Sequence, residues 1–315
     1  MTTAAPQPLR TERTLLRKVG DYTLLTARQG AASAVSGDYI YIFGGGGGGG
    51  FVADIERFDP RTGKSECVSD RVLPRHYHCA VEYEGRIYLF GGQGVGLATQ
   101  PYEARIEMYD VATNTVAIAG RMPEPRTNLG AAKLGTKVYL IGGRQAKDEQ
   151  RIHVGRVDVY DLKTGIWSRA AEMAVAREAP AATVTGFIIV PAGYRGRMRL
   201  ADVEMFVPAE NVWKTLPSLG RRISAHSLAF LDRYLFLFGD YDDLGTVTAY
   251  DLKTRATINV VTGFTGLRHS TAAVHRGVIY VIGGNTDLPN SESDRIQAFA
   301  LASATAPAPV ARPVK

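Results

Sequence analysis

The sequence predicts an all-β protein: a six-bladed β-propeller with four antiparallel strands per blade, its last blade closed by an N-terminal strand. Three observations carry this. An apolar run ending in a glycine pair, or a variant of one, recurs six times, with its first glycine at Gly44, Gly91, Gly142, Gly193, Gly239 and Gly283. A second run of the pattern apolar, polar, any, aromatic follows each, ending at Phe58, Tyr109, Tyr160, Phe206, Tyr250 and Phe299. A segment of small residues precedes each, from AASAV at 31–35 to STAAV at 270–274.

These pieces order themselves into a four-strand unit. Small side chains suit an innermost strand crowded toward a central axis. The continuous apolar run suits a second strand buried on both faces. The third strand is half-exposed, and turns such as DPRTG, DVATN and DLKTG follow it. There Asp bonds its own backbone and Gly or Asn supplies the positive φ. A variable outer strand completes the unit. The sixth repeat stops near Ala302 before any outer strand, and residues 303–315 are Pro/Ala-rich and read as disordered. The segment DYTLLTA, Asp21–Ala27, has strand character and is assigned as the missing outer strand. The expected organisation is a basic tail over 1–20, a single propeller over 21–302 and a disordered tail over 303–315.

The glycine pair, the third-strand aromatic most often followed by Asp, and Trp167 and Trp213, each seven residues past that aromatic, resemble kelch repeats. The resemblance recurs six times across residues 21–302. Ser65, Val116 and Thr257 depart from it where kelch repeats prefer Trp, and Gly193-Tyr194 stands for one glycine pair. It implies a module that presents the loops of one face to a protein partner. No further domain of the kind that joins kelch rings to ubiquitin ligases is read in the sequence. A scaffold role is therefore expected to work through the ring and its two basic ends.

Charge narrows the partner. The chain carries a formal net charge of +6. Arg10, Arg13, Arg17 and Lys18 against Glu12 make the first 20 residues +3, and Arg312 and Lys315 make the tail +2, leaving +1 for the body. A near-neutral body argues against a nucleic-acid partner, which needs clustered charge on the folded surface. No run of about 18 apolar residues is present, so no membrane-spanning helix is expected. Cys67 falls on an outer strand and Cys79 on the next inner strand, too far apart for a disulfide. Two free thiols and no secretory h-region suggest an intracellular, cytoplasmic protein. The Arg-rich first 20 residues also carry a weak organelle-targeting pattern.

An arginine opens nearly every inner strand: Arg28, Arg75, Arg126, Arg177, Arg222 and Arg268. One reading is a crown of guanidiniums facing an acidic peptide or a small anionic ligand, since the planar fork of Arg donates two bonds to a carboxylate. The other is structural. Kelch repeats commonly carry this Arg together with a third-strand acid, here Glu56, Glu107, Asp158 and Glu204, and a buried Arg needs such a partner. Repeats five and six have Thr248 and Gln297 instead, so Arg222 and Arg268 are the arginines expected to face a ligand.

His78, His226 and His269 fall near the axis, where three imidazoles could hold a metal or act as acid and base beside Arg268. No acid recurs at their level, so no metal or other cofactor is expected; they are read as bonded to backbone or channel water and as candidate residues of the ligand site. The Gly44–Gly50 run follows a strand but lacks Lys-Ser/Thr and a helix, and reads as a loop rather than a phosphate cradle. Arg195, Arg197 and Arg199 in repeat four oppose Asp240, Asp242 and Asp243, around Tyr241, in repeat five; mutual pairing is expected, with a split-charge docking surface as the alternative. No nucleophile elbow, HExxH or catalytic carboxylate pair is present. The leading expectation is a protein-interaction scaffold, more a binder than an enzyme. The alternative, implied by resemblance to bacterial kelch sugar mutarotases, is a small enzyme acting on an acidic sugar at the channel mouth.

Overall fold

The computed structural model describes residues 10–302 apart from 98–99, 148–149, 181 and 289–290. The described residues form strands and turns, with no α-helix. No helix is long and apolar enough to cross a membrane. The Pro/Ala-rich segment at 303–315 lies outside the described residues.

Six antiparallel sheets follow one another along the chain. Sheet one runs Ala32–Ser36, Tyr39–Phe43, Ile55–Asp59 and Lys64–Ser69. Sheet two runs Cys79–Tyr83, Arg86–Phe90, Arg105–Asp110 and Thr115–Arg121. Sheet three runs Gly130–Leu134, Lys137–Ile141, Val157–Asp161 and Trp167–Ala170. Sheet four runs Ala182–Val184, Phe187–Pro191, Val203–Val207 and Val212–Leu216. Sheet five runs Ser227–Leu231, Tyr234–Phe238, Val247–Asp251 and Thr257–Val260. Sheet six runs Thr271–His275, Val278–Ile282 and Arg295–Leu301. Each small-residue segment forms a first strand, which touches the first strand of the next sheet. The first strand of sheet six touches that of sheet one.

The second strands show why a continuous apolar run is needed. Successive side chains of a strand point to opposite faces. Tyr41 and Phe43 pack toward sheet two with Ile87, Leu89 and Tyr109, whereas Ile40 and Ile42 pack toward sheet six with Tyr280, Ile282 and Ile296. Each sheet is thus covered on both faces by its neighbours, and the core is divided into layers between sheets. Trp167 stacks on Tyr160 at 4.8 Å and Trp213 on Phe206 at 5.2 Å, joining outer to third strands.

The N-terminal segment does supply the outer strand of sheet six, but not where the sequence put it. The strand is Leu16–Thr23, antiparallel to Arg295–Leu301 from Leu16↔Leu301 to Thr23↔Arg295. The segment assigned at Asp21–Ala27 overlaps only its end. Leu24, which made that segment look strand-like, is instead buried between sheets six and one. The basic tail assigned to 1–20 also changes. Arg10–Arg13 pairs in parallel with Thr257–Val260 as a fifth strand on the outer edge of sheet five. The N-terminal segment therefore straps two sheets.

Candidate functional site

The glycine pairs, the segments leading into the first strands and the loops between second and third strands share one face. Short hairpins rise there from sheets one to four: Gly46–Gly47 with Gly50–Phe51, Gln93–Leu97 with Gln100–Tyr102, Arg144–Lys147 with Gln150–His153, and Tyr194–Arg195 with Met198–Arg199. Among the described residues no paired hairpin strands rise from sheets five and six; the sheet-six loop has a single bridge, Asn285 with Glu292. The Gly44–Gly50 run is part of such a hairpin, read from the sequence as a loop.

Four of the predicted arginines are buried ion-pair partners, not ligand-facing groups. Arg28 bonds Asp54 and Glu56, Arg75 bonds Glu107, and Arg177 bonds Glu204 at 2.5 Å. Arg126 lies 2.9 Å from Asp158. All four are at most 1% exposed. Their guanidiniums also bond main-chain carbonyls where the second strand ends: Gly44, Gly91, Leu140 and Ala192. The carboxylates face the other way as well. Glu56 accepts from the amides of Leu25 and Thr26, Glu107 from Leu73, and Glu204 from Ala174 and Val175. Three of the four pairs therefore pin the linker that enters the first strand, and Asp158 instead accepts from Arg156. Burial pushes the Glu56 and Glu107 carboxyls up, against the pull of Arg28 and Arg75.

Arg222 and Arg268 do not occupy the arginine position at all. A Cβ on Gly44, Gly91, Gly142 or Gly283 would run into the carbonyl of Arg75, Arg126, Arg177 or Arg28 on the following sheet, and one on Gly239 would run into that of Leu267. Gly193 donates in the same way to Ile223. The equivalent positions in sheets five and six are thus Ile223, fully buried, and Leu267, 4% exposed. Arginine and acid have been replaced together, the acids by the buried Thr248 and Gln297. Gln297 keeps the linker role through the amide and carbonyl of Thr265. The signal was in the spacing: 16 residues before Gly239 and Gly283 stand Ile223 and Leu267. The glycine pair of repeat four is also corrected. Ala192 and Gly193, with φ of 57° and 105°, take the conformation that Gly44 and Gly45 take in repeat one.

Two residues past this position the backbone forms a belt. His269 donates to the carbonyl of Ala225, Gly30 to His269, Tyr77 to Gly30 and Asn128 to Tyr77, at 2.7–3.0 Å. All five residues have φ between 53° and 60°. Ala179, at the same place in sheet four, lacks a positive φ and precedes Pro180, whose ring crowds the residue before it. The Tyr77 hydroxyl lies 2.9 Å from His269 Nδ1 and 3.4 Å from Gln29 Oε1. Burial pushes the Tyr77 phenol up to about 12 and the His269 imidazole down to about 4.

His78 and His226 lie one residue further along and are buried, not aimed at a common centre. The His78 ring reaches back to Gly44 of sheet one just as Leu129 of sheet three reaches Gly91 of sheet two. Both rings have unbonded nitrogens. Burial holds His78 well below the usual imidazole range and lowers His226 to about 3. The three predicted histidines are thus not assembled with Arg268 into an acid–base site. Among the described residues no group of three or more His, Cys, Asp or Glu is placed to hold a metal.

Sheets four to six carry the accessible chemistry. Arg222 is exposed. Arg268 lies 4.1 Å over the ring of Tyr241 and donates to its carbonyl, with Tyr241 50% exposed. Arg199 bridges Asp240 at 2.8 Å and Asp242 at 2.6 Å, so the opposed loops do pair. Arg195 and Arg197 are exposed and make no ion pair among the described residues.

The pattern of the "KLHDC2/KLHL20/DRC7 Kelch-repeats domain" matches residues 63–240, and that of the "Kelch motif" matches residues 27–71. The chain belongs to the kelch-repeat family, whose repeats build β-propellers. Spermatocyte protein spe-26 of Caenorhabditis elegans is 31% identical over 216 residues, 65% of this chain and 36% of that protein. Kelch-like protein 25 of Xenopus tropicalis is 24% identical over 62% of this chain and 34% of its own length. Kelch-like protein terF of Aspergillus terreus is 27% identical over 60% of this chain and 46% of its own length. The chain spans between a third and a half of the length of these relatives.

Proposed function

We propose that the six sheets are the blades of a closed propeller acting as a protein-interaction scaffold, with an acidic segment of the partner held on the loop face over sheets four to six. The unbroken succession of first-strand contacts, from sheet one round to sheet one again, supports the ring. The observation that carries the docking surface is the division of labour among the arginines. Arg28, Arg75, Arg126 and Arg177 are consumed inside the protein, whereas Arg195, Arg197 and Arg222 are exposed and Arg268 lies over the exposed ring of Tyr241. Arg and Tyr are the residue types that dominate binding hot spots. Charge complementarity then selects an acidic partner. Cys67 and Cys79, both free, support placing this role in a reducing compartment.

The test is partner capture from lysate, with identification by mass spectrometry, using the chain and its Arg222→Glu/Arg268→Glu variant. The variant loses the protein that the parent captures. Equal capture by both overturns the docking surface.

A further inference from the structure

We propose that the partner segment lies extended across the propeller mouth along a stripe of rings, Phe51–His76–Tyr77–His269–Tyr241, with its acidic end over Arg268 and an apolar or proline residue at Tyr77; this rests on the protein-binding reading above. The rings touch in sequence. Phe51 meets His76 at 4.9 Å, His76 meets Tyr77 at 4.2 Å, Tyr77 meets His269 at 5.2 Å, and His269 meets Tyr241 at 6.4 Å between centroids. The stripe therefore crosses from sheet one through sheets two and six to sheet five. Tyr241 is exposed and the other four are half-buried. A path of about 20 Å takes about six residues of extended chain, at ~3.3 Å each.

Backbone strain distinguishes two of these rings from packing residues. Tyr77 and His269 sit at φ of 54° and 55°, in a region that bulky side chains avoid. Gly30 and Asn128 make the same belt bonds at the same φ, and both residue types tolerate it. Holding the backbone belt thus requires neither ring, and strain kept without structural need points to a binding role. Aromatic-lined surfaces recognise extended and proline-bearing segments.

Charge fixes the direction. Midway along the stripe Arg144 lies 3.4 Å from Glu178, a neutral pair. At the Tyr241 end Arg268 has a buried, unbonded Nε, and the acids of that loop, Asp240, Asp242 and Asp243, are paired with Arg199 and Arg221. His76 and His269, both lowered to about 4 chiefly by burial, add no positive charge at neutral pH. The acid is therefore drawn to the Arg268 end.

The experiment selects a displayed library of random peptides on the full-length chain and measures the best binder on three variants. Tyr77→Asn borrows the residue that fills this position in sheet three, so the belt survives. Tyr241→Ala is exposed and outside the belt, and serves if Tyr77→Asn fails to fold. Arg268→Glu reverses the anchor. Selected sequences carry Asp or Glu at one end and an apolar ring or proline a few residues away, and each variant weakens the best binder about thirtyfold. An empty selection, basic consensus sequences, or affinity unchanged by both Tyr77→Asn and Tyr241→Ala overturns the stripe. If those two substitutions are silent while Arg222→Glu/Arg268→Glu still abolishes partner capture, the stripe fails and the docking surface stands. If capture is unchanged too, both fail.

Discussion

Arg75 and its three counterparts exchange water for a carboxylate and main-chain carbonyls, and sheet five displays the apolar version of the same joint, Ile223 beside Thr248. Removing one member of a buried pair strands the other charge and costs about 3–5 kcal/mol, whereas replacing both with packed neutral residues is often neutral. Glu107→Ala is therefore expected to lower stability by that amount in urea unfolding, and Arg75→Ile/Glu107→Thr by clearly less despite changing two residues. His78 offers a second test, because Leu129 fills its position in sheet three. A histidine held neutral by burial binds fewer protons folded than unfolded. Its contribution is intact above about pH 6.5 and is lost as pH falls toward the depressed folded value, at up to about 1.4 kcal/mol per pH unit. His78→Leu is expected to raise the melting temperature, with a larger gain at pH 5 than at pH 7.5. Equal gains at both would show that His78 titrates in the fold as it does in the unfolded chain. The arginine–acid pairing was legible because both residues recur at fixed steps. The true occupants of the fifth and sixth positions were hidden because Arg222 and Arg268 each lie one residue from them, and residue type drew the eye more than spacing.

At the scale of the element, the N-terminal strap separates into two parts of different worth. In Arg10–Arg13 the side chains of Glu12 and Arg13 are exposed, so this edge strand is held largely by its backbone. In Leu16–Thr23, Leu16 is 1% exposed and packs between sheets five and six, and seven residues pair with the third strand of sheet six. Deleting residues 1–14 is expected to cost only about 1–2 kcal/mol, the net worth of a few backbone hydrogen bonds. Deleting residues 1–23 opens the seam, and thermal unfolding by circular dichroism should then show the loss of one cooperative transition at the parent temperature. A 1–23 deletion that melts with the parent would contradict the strap. That an N-terminal strand closes sheet six was legible from the missing outer strand, but its position was not. An outer strand in water on much of its surface leaves little alternation to read, and LRKVGDYT buries only Leu16 fully.

At the scale of the whole molecule, six repeats with one pattern dictate six sheets, and the family match agrees that the repeats are kelch repeats. Function was far less legible. The residues that stand out in the sequence, the recurrent arginines, are those the architecture consumes. The rings of the loop face share no residue type at a fixed step: Tyr77 and His269 stand where other repeats have Gly30, Asn128 and Ala225, and Phe51 and Tyr241 lie in loops. The hydrogen-bonded belt sets Tyr77 beside His269, and Phe51, through His76, and Tyr241 join them from outside it. Tyr241 is half exposed with Arg268 over its ring, and a partner approaching there meets a body close to neutral. Capture is accordingly expected to weaken as salt rises, since a few exposed guanidiniums rather than a broad field supply the attraction. Affinity independent of ionic strength would favour the rings alone.

The strap also sets a timetable for synthesis. Residues 16–23 are made early, yet their partner at Arg295–Leu301 is among the last described segments of the chain. At about 5–20 residues per second, a nascent chain waits roughly 15–60 s before that pairing can form. Through this interval Leu16 and an unpaired strand edge stay open to any other chain nearby. The residues around Leu16, including Arg17 and Lys18, keep that waiting segment polar and charged, as edge strands must be if they are not to associate prematurely.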